Sequence, residues 1–253
     1  MSQDERSQVK TAGTTLRLLE TLKELDGAGV TEVAEHLGMS KSNVYKYLST
    51  LEQHEYVVKR GTEYHLGLKL LDLGGFVRDN RELYQVSVPE IKRLAAEHNE
   101  TANLQVEEYG RIVMLINVTS DESVNIHAHA GMRLNMHTTG SGKAMLAYLP
   151  DERVDEIIEQ HGLPELTENT ITDREELLQE LETIRERGYA FTTGEAIPGL
   201  RSVAVPITAS DGAVLGAISV TGPARRLEGE RFESEIPEQL VRTKNVIELN
   251  HSA

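Results

Sequence analysis

Residues 31–53, TEVAEHLGMSKSNVYKYLSTLEQ, contain two helical patterns separated by a glycine and a short polar turn. We expect Thr31 to cap the first helix and Gly38 to end it. Ser40 is placed to cap the second helix, because a serine hydroxyl accepts from the free amides of a first helical turn. The inward-facing positions are Val33, Ala34 and Leu37 in the first helix and Val44, Tyr47, Leu48 and Leu51 in the second. Two helices joined by a tight turn with glycine form a helix-turn-helix.

The segments on both sides extend this unit. Upstream, a helix capped by Thr14 or Thr15 is predicted from four leucines, Leu16, Leu19, Leu22 and Leu25. Downstream, residues 56–60 and 63–66 flank the turn Gly61-Thr62, which is typical of a β-hairpin. A helix-turn-helix followed by a short hairpin is a winged helix-turn-helix. We expect this domain to occupy residues 1–66.

The polar side of the second helix is suited to bind double-stranded DNA. Its candidate contact residues are Lys41, Ser42, Asn43, Tyr45 and Lys46, together with Lys59 and Arg60 on the hairpin. The start of this helix enters the major groove in such domains, where Asn pairs with adenine and Lys with guanine. Cations on the hairpin are placed for phosphate or minor-groove contacts. The alternative is a solvated helix face in a winged helix that binds protein as an adaptor.

The charge distribution removes an objection to DNA binding. The chain has 253 residues and a net charge of −15, which opposes contact with phosphates. Residues 1–75 carry 9 Lys+Arg against 11 Asp+Glu, so most of the acidic surplus, −13, falls on residues 76–253. This acidity, together with scarce aromatic residues, favours a halophilic source over ordinary solubility charge.

Composition also excludes several classes of protein. The chain has no cysteine, which excludes disulfides, thiolate catalysis and cysteine-based zinc sites. It has no apolar run near the ~18 residues of a membrane span and no apolar segment typical of a secretion signal. We therefore expect a cytoplasmic protein that does not contact membranes.

The rest of the chain predicts an α/β domain. Residues 67–84 predict a helix that links two domains. Leu68, Leu71 and Phe76 form an apolar face of this helix that could pack against a partner chain. The segments that follow predict a helix at 88–98, strands at 102–107, 112–118 and 124–129, helices at 141–148, 151–160 and 173–187, strands at 189–193, 202–208 and 213–220, and a helix at 230–249. Residues 85–253 thus resemble a GAF-like or PAS-like sensor, and the fold class is α+β.

Three segments of this domain, together with the winged helix, resemble the IclR family of transcription regulators. These segments are HTTGSGKAMLA at 137–147, GLRSVAVPI at 199–207 and GAISVTGP at 216–223. The resemblance implies a C-terminal domain that binds a small effector, often an organic acid or a sugar-derived metabolite. It also implies a homodimer or a dimer of dimers. Many members have Cys where this chain has Ser202, so the ligand preference of this chain is expected to differ.

The candidate effector site is assembled from the same segments. Its residues are Met132, Gly140, Ser141, Gly142, Lys143, Leu200, Ser202, Ser219 and Thr221. The start of the helix at 141–148 offers free amides to a carboxylate; the alternative is a tight turn with Lys143 exposed. The hydroxyls of Ser202, Ser219 and Thr221 are placed to orient ligand oxygens, or else they bond local backbone.

Enzymatic and metal-binding functions are not supported by the motifs. The segment 140–144 lacks the first glycine and the final Ser or Thr of a phosphate-binding loop. No serine lies in a Gly-x-Ser-x-Gly elbow. His127, His129 and His137 have no acidic residue at ligand spacing, so we expect no metal and no cofactor. The sequence therefore predicts a ligand-responsive regulator that is not an enzyme and that binds an inverted repeat in DNA.

Overall fold

The computed structural model describes residues 9–120 and 128–251. The chain divides into two compact units between Val77 and Arg78. A bilayer-spanning helix would have to be longer and more apolar than any helix in the described ranges.

The first unit is a small helical domain with a three-stranded antiparallel sheet of order β1-β3-β2. Its elements are α1 (Lys10–Glu24), β1 (Ala28–Gly29), α2 (Val30–Leu37), α3 (Lys41–Gln53), β2 (Val57–Arg60) and β3 (Glu63–Leu66). Helix α4 (Lys69–Asp79) follows. The core of this unit packs Leu18 and Leu22 of α1 against Val33 of α2 and Val44 and Leu48 of α3. The predicted winged helix-turn-helix is confirmed.

The two predicted helix caps have different outcomes. Ser40 caps α3 as predicted, since its hydroxyl accepts from the Asn43 amide at 3.3 Å. The cap at Thr31 is wrong, because α2 begins at Val30 after an extended Gly29 that provides no side chain. Gly38 ends α2 in the left-handed conformation, where glycine avoids the steric cost of a Cβ atom.

The first predicted helix is present but has a different buried face. Helix α1 begins at Lys10, so Thr14 and Thr15 lie inside it and do not cap its start. Their hydroxyls donate hydrogen bonds to the carbonyls of Lys10 and Thr11, one turn earlier. Leu16 is 61% exposed, whereas Leu18 is fully buried. Leucines spaced by three residues drift around a helix of 3.6 residues per turn, so they cannot all face one core.

The second unit is built on a six-stranded antiparallel sheet of order β6-β5-β4-β9-β8-β7. Its strands are β4 (Thr101–Glu108), β5 (Arg111–Val118), β6 (Arg133–Asn135), β7 (Ala190–Thr193), β8 (Leu200–Thr208) and β9 (Val214–Pro223). Its helices are α5 (Glu82–His98), α6 (Gly140–Leu146), α7 (Asp151–His161), α8 (Arg174–Arg187) and α9 (Ile236–His251).

Helices cover both faces of this sheet. On one face, β-strand residues such as Val203 and Val220 pack with α5 and α9. On the other face, Ala204 and Ala217 pack with α6, α7 and α8. Alternate residues of a strand point to opposite faces, so the polar residues Ser202 and Ser219 share the face that carries α6. That face holds the candidate site.

Two predicted elements of this region differ from the structure. The single helix predicted over 67–84 is wrong, because α4 ends at Asp79 and α5 begins after an extended Arg81. The Gln85 side chain donates to the Asp79 carbonyl at 2.8 Å, which satisfies one of the carbonyls left free at the end of α4. Of the strand predicted at 124–129, residues 124–127 lie outside the described part of the chain. Ala128 and His129 are not in a strand.

Candidate functional site

The predicted DNA-contacting residues are all exposed in the first unit. Lys41, Ser42, Asn43, Tyr45 and Lys46 are exposed on α3, and Lys59 and Arg60 are exposed at the end of β2. The first turn of α3 carries no acidic residue, so nothing there repels a phosphate. The Lys59 ammonium lies 5.3 Å from the centre of the Tyr64 ring, a cation–π contact that orients it.

The hairpin is less basic than its sequence alone indicates. Gly61 takes a positive φ of 63° in the turn between β2 and β3. The register then pairs Arg60 with Glu63 and Lys59 with Tyr64. An acidic side chain therefore lies directly across from Arg60, and Lys59 is the cation that faces a neutral neighbour.

The second unit contains a cavity of about 360 Å³ on the sheet face that carries α6. It falls in the size range of pockets that bind small metabolites. Seven of the nine predicted effector residues line it: Met132, Gly140, Ser141, Leu200, Ser202, Ser219 and Thr221. Gly142 and Lys143 do not line it.

The floor of the cavity is a pair of polar rows that cross the sheet. One row runs Asn117, Asn103 and Ser219 across β5, β4 and β9. The next row runs Thr221, Ser202 and Thr192 across β9, β8 and β7. Antiparallel register thus brings residues more than 100 positions apart in sequence into one surface.

The serine hydroxyls on this floor bond other side chains and not local backbone. Ser202 Oγ lies 2.6 Å from Thr192 Oγ1. Asn103 Nδ2 donates to Ser219 Oγ at 3.5 Å. A Cβ atom on Gly140 would lie 2.7 Å from Ser202 Oγ and 3.3 Å from Ala204 Cβ, so glycine lets α6 begin close to β8 without displacing that hydroxyl.

Gly142 has a packing role and is a correction to the predicted site. A Cβ atom at this position would lie 2.0 Å from the Met136 carbonyl oxygen. Its amide donates to Thr139 Oγ1 at 3.0 Å, so that amide is not available to a ligand. The helix that contains Gly142, α6, has only seven residues. The predicted carboxylate site at this helix start therefore loses one of its donors to a cap.

Lys143 is a second correction, and both alternatives considered for it are wrong. Its side chain is neither in the cavity nor in solvent: the residue is 1% exposed. Its ammonium donates to Glu195 Oε1 at 2.8 Å and lies 3.6 Å from Glu180 Oε1. Burial raises the pKa of Glu195, with a further contribution from Glu180, while Lys143 opposes this shift. The sequence around Lys143 does not indicate that its ammonium is buried against a carboxylate 52 residues away.

Sequence reasoning missed most of the polar wall of the cavity. Among the residues that line it, six have a buried polar atom without a hydrogen-bond partner in the described part of the chain: Asn103, Gln105, Asn117, Ser141, Glu195 and Arg201. The missed arginines Arg111 and Arg133 also line it. A detectable signal existed in β4, where Asn103 and Gln105 alternate with buried Leu104 and Val106. Because a buried polar group needs a hydrogen-bond partner, this alternation on one strand indicates a polar surface on the side opposite the core.

The histidines do not form a metal site in the described residues. His137 Nε2 lies 3.1 Å from the Pro164 carbonyl oxygen, and burial lowers the pKa of its imidazole. His129 is exposed, and His127 lies outside the described residues. Within residues 9–120 and 128–251, no three His, Asp or Glu side chains come together as ligands.

A winged helix-turn-helix joined to a sensor domain with a metabolite-sized cavity defines a class, the ligand-responsive transcription regulators. Family comparison gives the particular assignment. Residues 13–61 match the IclR helix-turn-helix domain, and residues 76–248 match the C-terminal domain of the bacterial transcriptional regulator IclR. The chain belongs to the IclR family, as its motifs predicted. It is a DNA-binding transcription regulator controlled by an effector in its C-terminal domain.

Individual relatives support this assignment over most of the chain. The chain is 32% identical to the probable regulator ArcR of Halobacterium salinarum, over 92% of this chain and 90% of that protein. It is 32% identical to the regulator KdgR of Escherichia coli, over 87% of this chain and 84% of that protein. The crystal structure of Thermotoga maritima IclR has a TM-score of 0.79 and 29% identity, covering 97% of this chain and all of that one. The ArcR match is consistent with a halophilic source.

The Lys143–Glu195 pair predicts a specific stability change. Lys143→Met leaves the Glu195 carboxylate buried without its counter-charge, and we expect the free energy of unfolding to fall by about 3–5 kcal/mol. The loss should shrink at acidic pH: a group whose pKa is raised by folding favours the folded state when protonated. Urea unfolding followed by circular dichroism measures both effects.

Two controls separate this pair from a general loss of charge. Lys143→Met combined with Glu195→Gln should recover part of the loss, because no buried charge remains in the pair. Arg242→Met removes an exposed partner of Glu238 and should leave stability nearly unchanged. A double variant as unstable as the single one at every pH would contradict the predicted role.

Proposed function

We propose that α3 reads operator bases through Asn43 and Lys46, while Lys59 and Arg60 contact the phosphate backbone. The observation that carries this proposal is the exposed polar face at the start of α3, opposite the buried residues Val44 and Leu48. Asn and Lys match the acceptor and donor patterns of adenine and guanine in the major groove. Because operator DNA in a prokaryote lies in the cytoplasm, we place the protein there as well.

We propose that a second copy of the chain covers α4. None of the residues of this helix is buried, although apolar residues are frequent in it. Leu68, Leu71 and Phe76 are 83%, 70% and 71% exposed. Such apolar side chains, clustered on one segment, are a usual mark of an interface. The homodimer, or a dimer of dimers, then presents two symmetric α3 helices to an inverted repeat.

We propose that the cavity binds a small organic anion or a polyhydroxylated metabolite and does not transform it. Arg111, Arg133 and Arg201 supply positive charge to a unit whose net charge is negative. The hydroxyl of Ser202 has a threonine hydroxyl as its partner, which is not a base that would activate it for attack. The named relatives are transcriptional regulators, which agrees with a binding role.

The DNA proposal is tested by comparing two substitutions. Asn43→Ala should weaken binding to operator DNA by about 1–3 kcal/mol and leave binding to random DNA nearly unchanged. Lys59→Ala should weaken both equally, since a phosphate contact carries no sequence information. Fluorescence anisotropy at fixed salt gives both affinities. Equal losses on both DNAs for Asn43→Ala would refute base reading, and no DNA binding by the wild type would favour the adaptor alternative.

The assembly proposal is tested on the exposed face of α4. Leu71→Glu places a charge in the proposed interface and should shift the protein toward monomer in analytical ultracentrifugation. Leu166→Glu is a matched control, because Leu166 is also an exposed leucine but belongs to the second unit and not to α4. A wild-type monomer, or a footprint on a single unrepeated half-site, would overturn the symmetric arrangement.

A further inference from the structure

Tyr45 differs from the other tyrosines of the chain in the surroundings of its ring. The chain has eight tyrosines, and six of them lie in or pack against a hydrophobic core cluster: Tyr47, Tyr56, Tyr64, Tyr84, Tyr148 and Tyr189. The ring of Tyr109 has the Arg133 guanidinium 6.0 Å from its centre. Tyr45 is 54% exposed, and its side chain makes no hydrogen bond, ring contact or cation contact with any residue that the structure describes. Its ring is therefore open to a partner molecule.

Tyr45 lies near the start of α3, the part of this helix that a winged helix places in the major groove. It is the fifth residue of the helix, which begins at Lys41. Helical side chains lean toward the N-terminus, so the Tyr45 ring projects over the first turn. Its neighbours on the same side of the helix, Ser42 and Ser49, are small and exposed. They leave both sides of the ring accessible.

The charges around Tyr45 match a groove lined by phosphates. Lys41 and Lys46 are exposed on the same helix, and the first turn of α3 carries no acidic residue. Because the chain is a DNA-binding regulator, the partner that faces this ring is a DNA duplex. The bases of a duplex are stacked, so a side chain in the major groove meets their edges and not their faces.

Among those edges, the 5-methyl group of thymine is the apolar feature. The other bases present hydrogen-bond donors and acceptors in the major groove, which suit Asn43 and Lys46. Tyr45 is the one aromatic residue at positions 41–46. An exposed ring gains free energy when it covers a methyl group, because both surfaces leave water. A tyrosine has two side-chain torsions, so fixing its ring costs little conformational entropy.

We propose that the Tyr45 ring packs against the 5-methyl group of a thymine and sets a thymine preference at one position of each half-site. This inference rests on the proposed reading of DNA by α3, and it adds an apolar contact to the polar ones assigned to Asn43 and Lys46. The ring makes this contact, and the hydroxyl is not required for it. Symmetric copies of α3 read the same position in both halves of an inverted repeat.

Uracil tests the contact, because it pairs with adenine as thymine does and lacks only the 5-methyl group. The full-length wild-type chain first selects an operator from random duplexes. Each thymine of one half-site, with its symmetry mate, is then replaced in turn by uracil, and affinities are measured by fluorescence anisotropy at fixed salt. We expect one replacement to weaken wild-type binding about fourfold for each half-site, which is the effect of losing one buried methyl group.

Three variants assign the methyl contact to Tyr45. Tyr45→Ser removes the ring and should bind the thymine operator and that uracil operator equally. Tyr45→Phe keeps the ring and should keep the thymine preference. Tyr109→Ser makes the same change at an exposed tyrosine of the second unit and should leave both affinities unchanged. Because Tyr45 lies outside the core, its two variants should fold, which circular dichroism checks.

The contrary outcomes separate this contact from the proposed reading of DNA. Wild-type affinity that no uracil lowers would overturn the contact. A Tyr45→Ser protein with an unchanged thymine preference would overturn it as well, because another residue would then meet the methyl group. Loss of the preference in Tyr45→Phe would show that the hydroxyl makes the contact and would overturn it too. None of these results affects the base reading by Asn43, whereas a wild type that selects no sequence would refute both.

Discussion

The buried ammonium of Lys143 is the constraint around which the sensor unit is arranged. An unpaired ammonium at this depth would be strongly unfavourable, so α6 requires a carboxylate from elsewhere in the chain. Glu195, in the connection between β7 and β8, supplies it at 2.8 Å. Glu180 of α8 lies 3.6 Å away and is itself 3.1 Å from Arg187. One charge network thus joins α6, α8 and the β7–β8 connection beside the cavity.

The first unit could be predicted closely because its signals are local. Glycine at position 38 and serine at position 40 specify the turn between α2 and α3 through backbone conformation and capping, which depend on adjacent residues only. The register of the hairpin follows from its two-residue turn. The prediction was poorer for α1, where several leucines compete for one core. Choosing Leu18 over Leu16 depends on tertiary packing, which residue spacing alone does not determine.

The cavity could be predicted only in part, because its chemistry depends on pairings across the sheet. Ser202, Ser219 and Thr221 were accessible from the sequence, since they lie on adjacent strands with small apolar neighbours. The contribution of Asn103 and Asn117 could not be predicted from the sequence. These two residues share one surface with Ser219 only because β4 lies between β5 and β9 in the sheet. Lys143 was misassigned for a similar reason: its partner Glu195 is close in space but distant in sequence.

The central claim is that occupation of the polar cavity and binding of DNA by α3 are energetically coupled. Thermodynamic linkage requires that coupling to be reciprocal. The most direct measurement uses the small organic acid or polyol that binds the wild-type chain most tightly in a calorimetric screen, and gives its dissociation constant with and without saturating operator duplex at one salt concentration. The account predicts a difference of about 5- to 150-fold, equal to the change in operator affinity that the same ligand causes at saturation. Equal ligand affinities with and without the operator would contradict it.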